Sequence, residues 1–178
     1  ADGGNEAYSV MANTLRCIYG TDVLIAAGNS FTGNVLHADY TKKMAVSMIM
    51  PNSLFSYKCE ITGAKLKELL KAFVEGCDGG FIPFNRGSLP VVSGISMEVK
   101  ENGDGYTLIS VKKDKKTIKD DDTFTVMCLA TKKHMEPILS AEGDMFEGGD
   151  TFVKDTWINY VLEDDAVLAE PESYITLR

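Results

Sequence analysis

Histidine and arginine are scarce in this 178-residue chain. There are two histidines, His37 and His134, and three arginines, one of them Arg86. The histidines are far apart, and neither has a second histidine or an Asp-x-His partner nearby. A hydrolytic metal site draws on several histidine and carboxylate ligands, so a self-contained metallohydrolase has no support. The four cysteines, Cys17, Cys59, Cys77 and Cys128, form no Cys-x-x-Cys pair, which argues against a structural zinc knuckle. No apolar run reaches the ~18 residues of a membrane-spanning helix. There is no Gly-x-Ser-x-Gly elbow, no phosphate-binding P-loop, no repeat and no low-complexity tract. The start, ADGGNEAYS, is polar and acidic and does not read as a secretory leader, although a processed chain would begin the same way. No catalytic residue and no metal ligand is assigned.

What is present describes one domain over residues 1–178, with an apolar fraction of 44%. The net charge is −8, which disfavours a phosphate-backbone partner, so nucleic acid is not expected. The one basic run, Lys112 to Lys116, is followed by Asp120-Asp121-Asp122, and both read as solvated turns. Cys59 and Cys128 lie in apolar runs and read as small core residues. Cys17 and Cys77 have no such context, and a bond between them is left open.

The clearest phrase is Phe55 to Val74. Phe55, Tyr57, Cys59 and Ile61 alternate with polar residues, as in a half-buried strand. Thr62 then offers an N-cap hydroxyl. Leu66, Leu69, Leu70, Phe73 and Val74 follow at spacings of three and four, the stripe of a helix that ends near Gly76. Before this unit, residues 5–19 read as a helix and Val23 to Ala27 as a buried strand. The strand opens into a small polar loop, Gly28 to Asn34, readable as a surface turn or as a close anion or base contact. Met44 to Met50 is strand-like and stops at Pro51. Residues 76–90 are loop-like, and Arg86 there is either a surface residue or an anion ligand. Val91 to Val99 and Tyr106 to Val111 form a hairpin around Glu101-Asn102-Gly103-Asp104-Gly105. Thr117-Ile118 is a short extension, Thr123 to Leu129 a strand, and residues 133–147 are mixed, with His134 expected to be exposed. Glu147 to Phe152 reads as a sharp glycine turn, Phe152 to Leu162 as a helix, and Ser173 to Leu177 as a short strand. Strands and helices do not alternate strictly, so the expected class is α+β, a mixed sheet with packed helices.

Several of these features, in this order, resemble the C-terminal domain of the 5′-nucleotidase family. They are the initial helix, the strand into the Gly/Asn loop, Pro51 followed by Gly63, Leu66 and Leu70, the Ser93-Gly94-Ile95 strand, and Gly148-Gly149-Asp150-Thr151-Phe152 before a late helix. The resemblance implies the substrate-binding half of a secreted, periplasmic or cell-surface hydrolase. Its N-terminal metallophosphoesterase domain, on the same polypeptide but outside this chain, would hold two divalent metals. This chain would carry no cofactor. The ligand would be a nucleotide or a related small phosphoester, contacted by Phe152, Gly28, Asn29, Phe31, Asn52, Arg86 and Asp150, with Phe152 stacking on the base. The family's Asn-Gly-Gly-Gly-Ile-Arg loop is here Ala27 to Thr32, so its asparagine and arginine are absent, and its second stacking phenylalanine becomes Asn52. Phe31 or Phe55 could supply the second ring. The alternative is a non-catalytic extracellular binding module that kept the fold and lost the pocket.

Overall fold

The strand–helix unit sits at the centre of the molecule. Its strand, β2 (Leu54–Thr62), lies inside a five-stranded sheet of order β3-β1-β7-β2-β8. The other members are β1 (Val23–Ala26), β3 (Val91–Ser93), β7 (Thr123–Thr131) and β8 (Glu147–Phe152). β1 runs parallel to β7 and antiparallel to β3, and β2 runs antiparallel to both β7 and β8. The sheet is therefore mixed, as expected. The structure, a computed structural model, describes residues 6–27, 30–31, 54–75, 89–103, 105–142, 145–163, 166–170 and 175–177. The Met44 to Met50 run, His37, Cys77 and most of the 76–90 loop lie outside them.

Both faces of this sheet are covered, which explains why β1 and β7 read as nearly unbroken apolar runs. On one face Val23, Ile25, Tyr57, Cys59, Ile61, Val126 and Cys128 pack with Leu66, Leu70 and Phe73 of helix α2 (Gly63–Glu75). A second sheet, of order β6-β5-β4-β9, closes this core with Met97, Val99, Val111 and Ile175. Its strands are β4 (Ser96–Asn102), β5 (Gly105–Lys113), β6 (Lys116–Thr117) and β9 (Ile175–Leu177). On the other face Leu24, Ala26, Met127 and Leu129 meet two more helices. These are α1 (Glu6–Tyr19), through Met11, Ala12 and Leu15, and α4 (Val153–Leu162), through Val153, Trp157 and Val161.

Thr62 caps α2, its hydroxyl accepting from the Lys65 N–H at 3.3 Å. Two further free amides of the helix start are satisfied from far along the chain: Gly63 N–H donates to the Asp122 carbonyl (2.7 Å) and Ala64 N–H to the Asp120 carbonyl (3.1 Å). The acidic turn expected to be merely solvated is thus a helix cap. Gly63 is required by the same contact, because a Cβ there would fall 2.0 Å from the Lys119 carbonyl oxygen. The run Val91 to Val99 also differs from expectation. It is two strands in two different sheets, broken at Gly94, whose φ of +82° turns the chain from one sheet to the other. A buried polar chain holds α1 to β3: Arg16 Nε donates to Ser93 Oγ (2.9 Å), which donates to Asn13 Oδ1 (2.6 Å).

Candidate functional site

The candidate site lies on β8, at the edge of the five-stranded sheet among the described residues. Tyr57 pairs with Gly148 and Phe55 with Phe152, so three residues of β8 (Gly149, Asp150 and Thr151) stand opposite Ser56 alone. This is a bulge with two extra residues on β8, and such a bulge re-aims the side chains around it. The expected glycine turn is therefore a bulged strand. Its two glycines have φ of +107° and +85°. Gly149 lets the Tyr57 ring close over the backbone, since a Cβ there would lie 2.7 Å from Tyr57 Cε1. Phe152 is not the first helical residue but the N-cap of α4, with extended backbone (φ −71°, ψ 128°) and no side-chain cap bond.

The bulge delivers Phe152 to the surface. Phe152 is 40% exposed, unusual for so large an apolar residue. It contacts Phe55 across the strand pair, with ring centroids 4.7 Å apart and planes tilted by 34°. The other neighbour of Phe55 is a cation, the Lys132 ammonium, 4.7 Å from the ring centroid. Lys132 begins helix α3 (Lys132–Glu142), in the stretch that reads as mixed from sequence. Thr131 caps this helix, accepting from the His134 N–H at 3.3 Å, and its hydroxyl is 2.7 Å from His134 Nδ1. His134 is accordingly half-buried rather than exposed. Burial first, and the Lys133 charge second, hold its pKa below the ordinary value.

Between α3 and the bulge lies an open cleft of about 690 Å³, lined by Tyr57, Lys132, Lys133, Glu136, Leu139 and Gly148 to Asp150. The volume suits a small-molecule ligand. Burial, then the negative charge of Asp150, keeps the Tyr57 phenol protonated beyond its usual range. Among the described residues, no group of three or more His, Cys, Asp or Glu could hold a metal ion. No helix there is long and apolar enough to cross a membrane.

Residues 4–133 match the family described as 5′-nucleotidase, C-terminal domain. The chain belongs to that family. Solved structures with the same fold include the NAD nucleotidase of Haemophilus influenzae, at 18% identity and a TM-score of 0.60. A 5′-nucleotidase precursor from Thermus thermophilus follows at 13% and 0.61, and a putative 5′-nucleotidase from Staphylococcus aureus at 14% and 0.64. The match covers 97%, 97% and 96% of this chain and 33%, 34% and 36% of those proteins. The 5′-nucleotidase C-terminal domain described here thus spans about a third of their length. No curated protein matches it in sequence.

Of the residues expected at a ligand site, Phe152 and Asp150 lie together on the bulge. Phe31 lies elsewhere: it is 1% exposed and packs in the α1/α4 core against Tyr8, with centroids 6.0 Å apart. Its faces are covered, so the ring beside Phe152 is Phe55. Gly28, Asn29, Asn52 and Arg86 lie outside the described residues. Lys132, Lys133 and Tyr57 line the cleft as well, and no residue pattern in the sequence marks them as ligand-facing. Their position depends on α3 and the bulge, and neither has a local signal.

Proposed function

We propose that this chain is the substrate-binding domain of a secreted, periplasmic or cell-surface 5′-nucleotidase-type phosphoester hydrolase. Hydrolysis itself would belong to an N-terminal metallophosphoesterase domain of the same polypeptide holding two divalent metals. The observation that carries this reading is the half-exposed Phe152 ring beside the cleft. A flat apolar ring fixed at the end of a bulge and partly exposed suits a nucleobase. Family membership and the word precursor attached to the Thermus structure agree with it.

The aromatic pair also limits the mode of binding. Rings 4.7 Å apart touch, and no base fits between them without parting them. The Lys132 ammonium already covers Phe55, so a base stacks on the outer face of Phe152. The second reading, a binding module without catalysis, is favoured by Ala27 and Thr32 standing where the family has asparagine and arginine.

The test is metal-dependent phosphate release by the full-length protein, supplied with manganese or zinc and a panel of AMP, UMP, a cyclic nucleotide and a UDP-sugar. Release is expected, with Phe152→Ala reducing kcat/KM by about tenfold or more, the loss of one base–aromatic stack. Metal-dependent release unaffected by Phe152→Ala would remove the ring from the site. No release from a folded, metal-loaded protein would favour the binding module.

A further inference from the structure

The cleft beside the rings is open to a charged ligand, and two of the groups lining it are ammoniums. We propose that Lys132 and Lys133 form an anion subsite for the diphosphate arm of a ligand whose ring rests on Phe152. The proposal deepens the nucleotide-binding reading above and rests on it for the placement of the ring.

Four observations converge. Lys132 and Lys133 both line the cleft, and neither meets a carboxylate among the described residues. Lys132 is anchored over Phe55, and no more than two contacts of 4.7 Å separate its ammonium from the centre of Phe152, within reach of the ribose and diphosphate together of a nucleotide whose base rests on that ring. The lysines are consecutive on a helix, so their side chains leave it about 100° apart. They cannot converge on one oxygen from the helix alone, but they can bracket an anion with two charged groups. The Tyr57 phenol in the same cleft stays protonated and is a donor to phosphate oxygen.

Glu136 and Asp150 also line the cleft and repel a phosphate laid against them. Glu136 stands one turn further along the same helix as the lysines and Asp150 on the bulge, so the anionic arm is placed at the first turn of α3, on the Lys132 and Lys133 ammoniums. Asp150, on the bulge between Gly149 and Phe152, is left as an acceptor for hydroxyl groups of the ligand.

Binding to the 178-residue chain, followed by calorimetry at low salt, tests this with three probes: inorganic pyrophosphate, inorganic phosphate and adenosine. Pyrophosphate reports on the lysines without a base, and adenosine reports on Phe152 without an anion. Pyrophosphate is expected to bind more tightly than phosphate. Lys132→Ala and Lys133→Ala should each weaken it by about tenfold, the loss of one charge-assisted hydrogen bond. Lys132→Arg, which keeps the cation on Phe55, should retain most of the affinity. Pyrophosphate that fails to bind, or binds equally to the double Lys132→Ala/Lys133→Ala variant, overturns the subsite. If adenosine still binds in that case, and is lost with Phe152→Ala, only the subsite has failed. If pyrophosphate binds through the lysines and adenosine does not bind, the subsite stands and the ring reading falls.

Discussion

Gly149 concentrates the physical logic of the site in one residue. Its φ of +85° is a conformation that side chains disfavour, and the space above it is filled by Tyr57. Gly149→Ala should therefore destabilise the domain by about 2 kcal/mol or more, from the left-handed backbone and the displaced ring together. Urea unfolding measures the loss. A change within a few tenths of a kcal/mol would mean that the bulge relaxes freely and does not fix Phe152. The thiols make a contrasting case, because they carry no ligand chemistry. Burial pushes Cys59 up to about 12, and Cys128, fully enclosed beside it, is pushed well up. Both were legible as core from their apolar surroundings. Cys17 is exposed and free.

Individual elements are held in place by groups the local sequence does not advertise. Asp22, just before β1, accepts from the Thr125 N–H (2.9 Å) and the Thr125 hydroxyl (2.8 Å) of β7. Those bonds, the backbone one first, hold its carboxyl below the usual carboxylate range, aided by Lys113 and Arg16 and opposed by partial burial. A lowered folded-state pKa stabilises above the unfolded value of about 3.9 and is lost as pH falls through the lower folded value. The unfolding free energy should thus drop more steeply below pH ~4 for the wild type than for Asp22→Asn. Equal acid slopes would show that the carboxylate does not clamp β1 to β7. At this scale the sequence was only partly readable. β2 and α2 announced themselves because alternation and the three-four spacing follow each other across a good cap. α3 did not, since Pro137 within the stretch argues against a helix. The β8 bulge did not either: two adjacent glycines look like a turn unless one knows that β2 lies alongside. Pairing between segments so far apart has no local trace.

In the whole molecule, two cores share one sheet. Leu70 belongs to the face closed by α2 and the second sheet, and Trp157, the sole tryptophan, to the face closed by α1 and α4. The strands between them are common to both, so the faces should melt together. Leu70→Ala is expected to lose about 2–5 kcal/mol, and the midpoint seen by Trp157 fluorescence should shift with the far-ultraviolet circular dichroism midpoint. A tryptophan transition left unmoved would mean two independent units. The α+β class was legible because the order of elements excludes strict alternation. The switch of sheet at Gly94 was hidden inside what reads as one strand. The bulge has one more effect at this scale. Among the described residues β8 is an edge of the five-stranded sheet, and a straight edge would invite another strand to continue the ladder. Three residues against one, with Asp150 among them, leave no regular row of donors and acceptors to copy. The distortion that brings Phe152 to the surface also makes this edge a poor template for a further strand.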